Sequence, residues 1–333
     1  MKLRHRAMRP EDIPECVDIV AKHPVIGPRY GLVIGHLAEA WLRLLQCEAG
    51  LASVFHAGDS TDAPICIVGV VAIVHDDFVR ELKTPPHFWF GPELTRRMTD
   101  GESPLLTGKQ LREANSRDGL NLLCWESCFC PGYAADREVL RFAMSMFIQQ
   151  HRGYLWKELI APQCESVHQL DFNLKTGGCL WDPLAARYTT TMTRELSEIV
   201  STPHIVGITR QDDWAGNWAG ALFDYHPPVL GFNQSEKRLL SCALPGATDE
   251  HLAGMLGSSL PAVKKTWSSI YRRVEDSLPG LIADSLQSEI PAGGRGKEKR
   301  RHLLAYLREH PEELRPIPRA FHEHHTRVKV FAP

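Results

Sequence analysis

The chain has 333 residues, room for two or three domains, and its 43% hydrophobic and 8% aromatic content is that of a globular protein with a core. Its 38 Lys and Arg against 40 Asp and Glu leave a formal charge of −2, so no global field draws it to nucleic acid or to a membrane surface. Any face for a polyanion must be local. No run approaches the roughly 18 apolar residues of a membrane span, and the basic residues 1–6 lead into a charged amphipathic stretch, not the apolar segment of a signal peptide. Nine scattered cysteines fit thiols in a reducing compartment better than a disulfide framework, so the expected location is cytoplasmic.

Residues 3–8 read as a strand, and Pro10-Glu11-Asp12 opens a helix carrying Ile13, Val17 and Val20 at helical spacing. A second helix covers about 34–47. Strands follow at 51–57 and 65–75, the latter a nearly continuous β-branched run suited to a central position. Residues 85–110 are polar and turn-rich and read as an insertion. A strand at 121–128, a helix at 137–150, a strand at 154–160 and a short helix at 165–174 complete the pattern, in which Gly177-Gly178 is a helix C-cap. The alternation predicts a three-layer α/β domain over residues 1–200. Residues 201–230, with Trp214, Trp218, Phe223 and the pair Pro227-Pro228, lack periodicity and read as a linker, in which the two tryptophans pack.

From Asn233 onward the pattern is helical. Asn233 and Glu236 have capping-box spacing before a helix carrying Leu239, Leu240 and Ala243, which stops near Pro245-Gly246. Thr248 caps a second helix with Asp249 and Glu250 in its first turn, Leu252, Met255 and Leu256 inward, and Gly257 at its left-handed end. Ser258-Ser259 restart the chain, and Pro261 sits in the first turn of a third helix, where a missing amide costs little. At 100° per residue Val263, Trp267, Ile270 and Val274 form one stripe, which makes Trp267 a packing residue. Pro261, Lys265, Ser268 and Arg272 face the other way, flanked by Lys264 and Ser269. Such a face suits a major groove, with Lys and Arg for phosphates and Ser for base edges or backbone oxygens. These helices make an all-α domain over 231–290. Residues 291–333 read as a basic joint, containing Arg295-Gly-Lys297-Glu-Lys299-Arg300-Arg301, and an amphipathic helical tail at 302–310.

Residues 232–274 resemble a LuxR-type helix-turn-helix without a gap. Glu236, Leu240, Gly246, Ala253, Leu256-Gly257, Ser259, Val263-Lys264 and Ser268-x-Ile270-Tyr271-Arg272 carry the match. The resemblance implies that the second helix supports and the third reads double-stranded DNA, as a homodimer on a two-fold site. The expected DNA-binding residues are Thr248, Ser258, Ser259, Pro261, Lys264, Lys265, Ser268, Ser269 and Arg272. Leu260-Pro261 departs from the polar pair usual at the helix start, and the chain runs on about sixty residues past the motif. In that continuation 277–286 is placed for the fourth, dimer-forming helix of such domains, though Pro279-Gly280 interrupts it.

The N-terminal order, with Arg6-x-Met8-Arg9-Pro10-Glu11-Asp12-Ile13, the strand 68–74 and the segment 122–178, resembles the mixed sheet and flanking helices of GNAT-superfamily N-acetyltransferases. That superfamily holds the acetyl-CoA diphosphate on a glycine-rich turn at a helix N-terminus. Here the turn is Cys130-Pro131-Gly132-Tyr133-Ala134-Ala135-Asp136-Arg137-Glu138, with carboxylates where phosphates would sit. The expectation is therefore a non-catalytic regulatory or dimerising domain, with no catalytic residues and no cofactor, open to a different small-molecule ligand. An acyl-CoA-dependent N-acetyltransferase with a helical C-terminal module is the competing reading, and an interaction protein that uses its helices against another protein is a third. Cys124, Cys128 and Cys130, which cluster near Glu126, lack a fourth ligand with recognisable spacing, and His322-Glu323-His324-His325 reads as a solvated tail, so no metal is expected.

Overall fold

A computed structural model describes residues 2–58, 63–134, 136–191, 194–210, 220–283 and 295–317. The chain divides into two compact units, one of Met1–His151 with Leu155–Asp224 and one of Arg152–Tyr154 with Tyr225–Pro333.

The first unit is mixed α/β. Its eight strands are β1 (Leu3–Ala7), β2 (Gly50–Ala57), β3 (Ile65–Val74), β4 (Leu120–Phe129), β5 (Trp156–Ile160), β6 (Cys179–Asp182), β7 (Arg187–Thr189) and β8 (Val206–Thr209). They form one sheet in the order β1-β2-β3-β4-β5-β8-β6-β7. Among these pairs only β4 with β5 is parallel. The expected three-layer alternation is thus a mostly antiparallel sheet, because an order of strands and helices fixes neither strand direction nor strand neighbours. The β-branched run of β3 lies between β2 and β4, and every residue of it except Gly69 is buried.

Helices α1 (Ile13–Lys22), α2 (Leu37–Leu45), α3 (Phe90–Thr99), α4 (Arg137–His151) and α5 (Val167–Lys175) pack with this sheet. α1 buries Ile13, Cys16 and Val20 at helical spacing, and α2 buries Leu37, Ala40, Trp41, Leu44 and Leu45. Two sequence expectations change. Residues 85–110, read as an insertion, contain α3, which buries Phe90, Leu94 and Met98 and packs on α2. Its charged outer face, where Arg96 and Arg97 pair with Glu93, had masked that apolar side. Residues 201–230, read as a linker, supply β8, which runs between β5 and β6 in the sheet. Four residues, Val206-Gly-Ile-Thr209, are too few to show periodicity, and their strand character comes from their neighbours. The tryptophans at 214 and 218 lie outside the described residues.

The described elements of the second unit are helical. α6 (Gln234–Ala243), α7 (Asp249–Met255), α8 (Leu260–Ser277) and α9 (Arg295–Glu309) share one core. Leu239, Leu240, Leu252, Val263, Trp267, Ile270 and Val274 meet Leu303, Leu304 and Leu307 in it. The amphipathic tail is therefore a structural helix of the same bundle, beginning at Arg295 and covering most of the run expected as a basic joint. Of the candidate fourth helix at 277–286, the described residues include a helical segment at Gly280–Ala283, with Ile282 buried in that core. Residues 284–294 and the histidines at 322–325 lie outside the described residues. Beyond α9, the buried Glu313 carboxylate accepts from the Val229 and Leu230 amides, each at 2.9 Å.

Candidate nucleic-acid interface and ligand cavity

Local capping chemistry sets the three helices in place. Asn233 Oδ1 accepts from the Glu236 amide and Glu236 Oε2 accepts from the Asn233 amide, both at 3.0 Å, so two orphan donors are satisfied reciprocally. Thr248 Oγ1 accepts from the His251 amide at the start of α7. At the end of α7, Gly257 has φ +59°, its amide donates to Gly254 O, and the Ser258 amide donates to Ala253 O. These two bonds close a left-handed helix end that a β-carbon would strain. Ser259 Oγ accepts from the Ala262 amide at the start of α8.

α8 buries the stripe Val263, Trp267, Ile270 and Val274, as its spacing requires. Trp267 is held further. Its indole N–H donates to Asp249 Oδ1 at 3.2 Å, and the Arg300 guanidinium of α9 lies 4.6 Å from its ring while pairing with Asp249 at 2.8 Å. Arg300 is a packing residue that carried no distinguishing signal within its basic run. Glu236 does more than cap: buried, it also accepts from Ser269 Oγ at 2.9 Å and pairs with Arg273 at 3.1 Å.

The expected DNA-binding residues therefore divide. Pro261, Lys264, Lys265, Ser268 and Arg272 are exposed along one side of α8, and Thr248, Ser258 and Ser259 are exposed at the starts of α7 and α8. Ser269 is half-buried and turned to Glu236, which removes its hydroxyl from that side. Charge partitions in the same way. Arg273, Lys299, Arg300 and Arg301 pair with Glu236, Glu275, Asp249 and Glu298. Lys264, Lys265 and Arg272 form no ion pair among the described residues. The outer α8 face thus carries three exposed cations with no ion pair among the described residues.

In the sheet unit, a cavity of about 200 Å³ lies among β2, β3, β4, β5, β8, α4 and α5. Its floor follows from strand register. Ser53 on β2, Gly69 on β3 and Ser127 on β4 stand side by side, three small residues in a row across the sheet. A β-carbon built on Gly69 would meet nothing within 4 Å. The roof is the apolar side of α4, with Leu140, Ala143, Met144 and Phe147, all only half-buried.

Glu126 closes one end. Opposite β3 the register slips between Val70 and Val71, so Trp125 bulges between Cys124 and Glu126. Glu126 then borders both this cavity and a second of about 20 Å³ that it shares with Arg29, Tyr30, Trp125 and Gln163. The Tyr30 hydroxyl donates to Glu126 Oε2 at 2.9 Å and the Ser127 amide donates to Oε1 at 3.3 Å. Burial nonetheless pushes the Glu126 carboxyl up to about 7, against the pull of Tyr30, Ser127 and Arg29. The Cys124 thiol is pushed up to about 12 and that of Cys128 is also raised, both by burial first. No three His, Cys, Asp or Glu among the described residues are placed to share a metal ion. At the start of α4, Asp136 Oδ1 accepts from the Glu138 amide at 2.8 Å and the Val139 amide at 3.2 Å. No described helix is long and apolar enough to cross a membrane.

No protein-family model and no curated protein matches this chain.

Proposed function

We propose that this protein is a DNA-binding transcriptional regulator with a non-catalytic N-terminal domain. In this reading the helical unit is a LuxR-like helix-turn-helix that acts as a homodimer, and α8 enters the major groove. The observation that carries it is the partition of charge. Lys264, Lys265 and Arg272 stand exposed on one side of α8 and form no ion pair among the described residues, although Lys264 lies in the field of Glu250, while the basic residues packed behind it are neutralised by Glu236, Asp249 and Glu275. A structural helix has no need to leave three cations on one face, whereas a reader helix requires them for phosphates and base edges. Ser268 lies between them, and Thr248, Ser258 and Ser259 flank them at helix starts, where hydroxyls and amides suit phosphate oxygens.

The N-terminal unit is read as a GNAT-like fold without transferase chemistry. The Asp136 carboxylate occupies the α4 amides that would otherwise cradle a diphosphate. That geometry opposes the acetyltransferase alternative.

Fluorescence anisotropy with labelled duplexes selected from random sequence, at two salt concentrations, tests the assignment. Lys265→Ala and Arg272→Glu should each weaken binding by about 1–3 kcal/mol and flatten the salt dependence. Unchanged affinity in both variants removes α8 from the interface.

A further inference from the structure

We infer that the cavity above the Ser53–Gly69–Ser127 row is a binding site for an uncharged, mostly apolar small molecule. The inference stands on the sheet unit alone and does not depend on the helical unit binding DNA.

Three observations carry it. First, the void is built in. β3 is buried along its whole length except at Gly69, and the residues paired with Gly69 on either side are both serines. With larger residues at these three places α4 would have a sheet surface to close on. Instead Leu140, Ala143, Met144 and Phe147 of α4 remain half-exposed over the gap. An amphipathic helix ordinarily buries such a face, so the space has the apolar lining of a ligand pocket, at a volume suited to a ligand smaller than drug-sized ones.

Second, several polar side chains on the wall are already engaged with protein. Ser53 Oγ and the Gln150 side-chain amide bond each other at 2.9–3.2 Å, Asn173 Nδ2 donates to Cys164 Sγ, and Thr176 Oγ1 donates to Phe172 O. What remains facing the space is chiefly hydrocarbon from Phe55, Ile67, Val71, Phe129, Phe147 and Phe172.

Third, the charges exclude ions. Among the described residues no Lys or Arg borders the cavity, and His151, the one imidazole on its described wall, has Nδ1 at 2.7 Å from Phe147 O. An anion would find no described Lys or Arg as counter-charge. A cation would find Glu126 held by Tyr30, Ser127 and the field of Arg29, and brought toward neutrality by burial. At about 200 Å³ the cavity takes a molecule somewhat larger than benzene, which fills an apolar void of about 150 Å³.

The test uses the full chain and the uncharged probe 1-octanol at pH 6, where Glu126 is mostly protonated, read by calorimetry and by shift in Tm. Saturable 1:1 binding is expected, at least tenfold tighter than for octanoate or n-octylammonium. Gly69→Leu fills the void from the floor without backbone strain, so it should keep the far-UV spectrum and Tm while losing octanol binding at least tenfold. Ala143→Leu, which fills it from the roof, provides the same check should Gly69→Leu fail to fold. Three results overturn the proposal: no saturable octanol binding; octanol binding unchanged in the filled variants; or an ionic probe binding more tightly than octanol. Acetyl-CoA binding that is lost in the filled variants would overturn it in favour of the transferase reading. DNA takes no part in these measurements, so their failure leaves the assignment of α8 untouched.

Discussion

In the helical unit exposed cations point outward along one helix, whereas in the sheet unit an open space lies inward, beneath a helix that closes on its sheet only in part. Lys264, Lys265 and Arg272 are exposed because the stripe behind them is buried, and one follows from the other at 100° per residue. The cavity has no such local cause. Ser53, Gly69 and Ser127 are 16 and 58 residues apart in sequence and become one floor only through the pairing of β2, β3 and β4. An exposed cationic face is thus the by-product of one amphipathic helix, while an interior pocket needs three strands in register and a fourth element above them.

If that contrast is right, the two units respond differently to substitution. The largest effect belongs to Trp267→Ala, which removes a fully packed indole, its bond to Asp249 and the surface on which Arg300 lies. It should destabilise the helical unit by about 3–5 kcal/mol, measured by denaturant unfolding. A change below about 1 kcal/mol would mean that Trp267 serves the outer face and not the core.

In the sheet unit the sharpest lever is pH. Glu126 has a folded pKa near 7, above its ordinary value, so its contribution is complete below about pH 4.5 and is lost as pH rises toward 7. The loss is on the order of 3 kcal/mol. The groups around it are Tyr30, Arg29, Ser127 and Glu165, of which Glu165 also raises it. His204 acts in the opposite sense. Burial holds its pKa near 4, so its contribution is lost as pH falls from about 6.5 toward 4. The two windows overlap between about pH 4.5 and 6.5 and offset there, so Glu126→Gln should turn a nearly flat profile into one that rises with pH up to about 6.5. Tm measured across pH 4 to 8 in both proteins checks this, and parallel profiles would break the assignment.

The smallest effect sharpens the local half of the comparison. Thr248→Ala removes the side chain that accepts from the His251 amide and should cost the helical unit about 1 kcal/mol in denaturant unfolding. A much larger loss would show that the start of α7 depends on tertiary contacts more than on its cap.

The sequence by itself determined whatever is written within a turn or two of helix. The Asn233–Glu236 box, the Thr248 cap, the glycine end of α7 and the buried stripe of α8 are each settled by neighbours three or four residues away, and each was legible, whereas the Ser259 cap was read only as a restart of the chain. So were the central place of β3 and the start of α1. Tertiary structure decided the rest, because the deciding partners are remote. β8 is a strand only because β5 and β6 offer it hydrogen bonds. α3 had an apolar side hidden by its charged face until α2 was there to cover it. α9 joined the helical core through Leu303, Leu304 and Leu307, and Arg300 found Trp267 and Asp249 across more than thirty residues of chain. Ser269 lay on the outer face by angle, but the buried Glu236 drew its hydroxyl inward. The cavity depended most on tertiary structure: Gly69 in isolation is a weak point in a strand, and only the serines beside it and the helix above make it an opening.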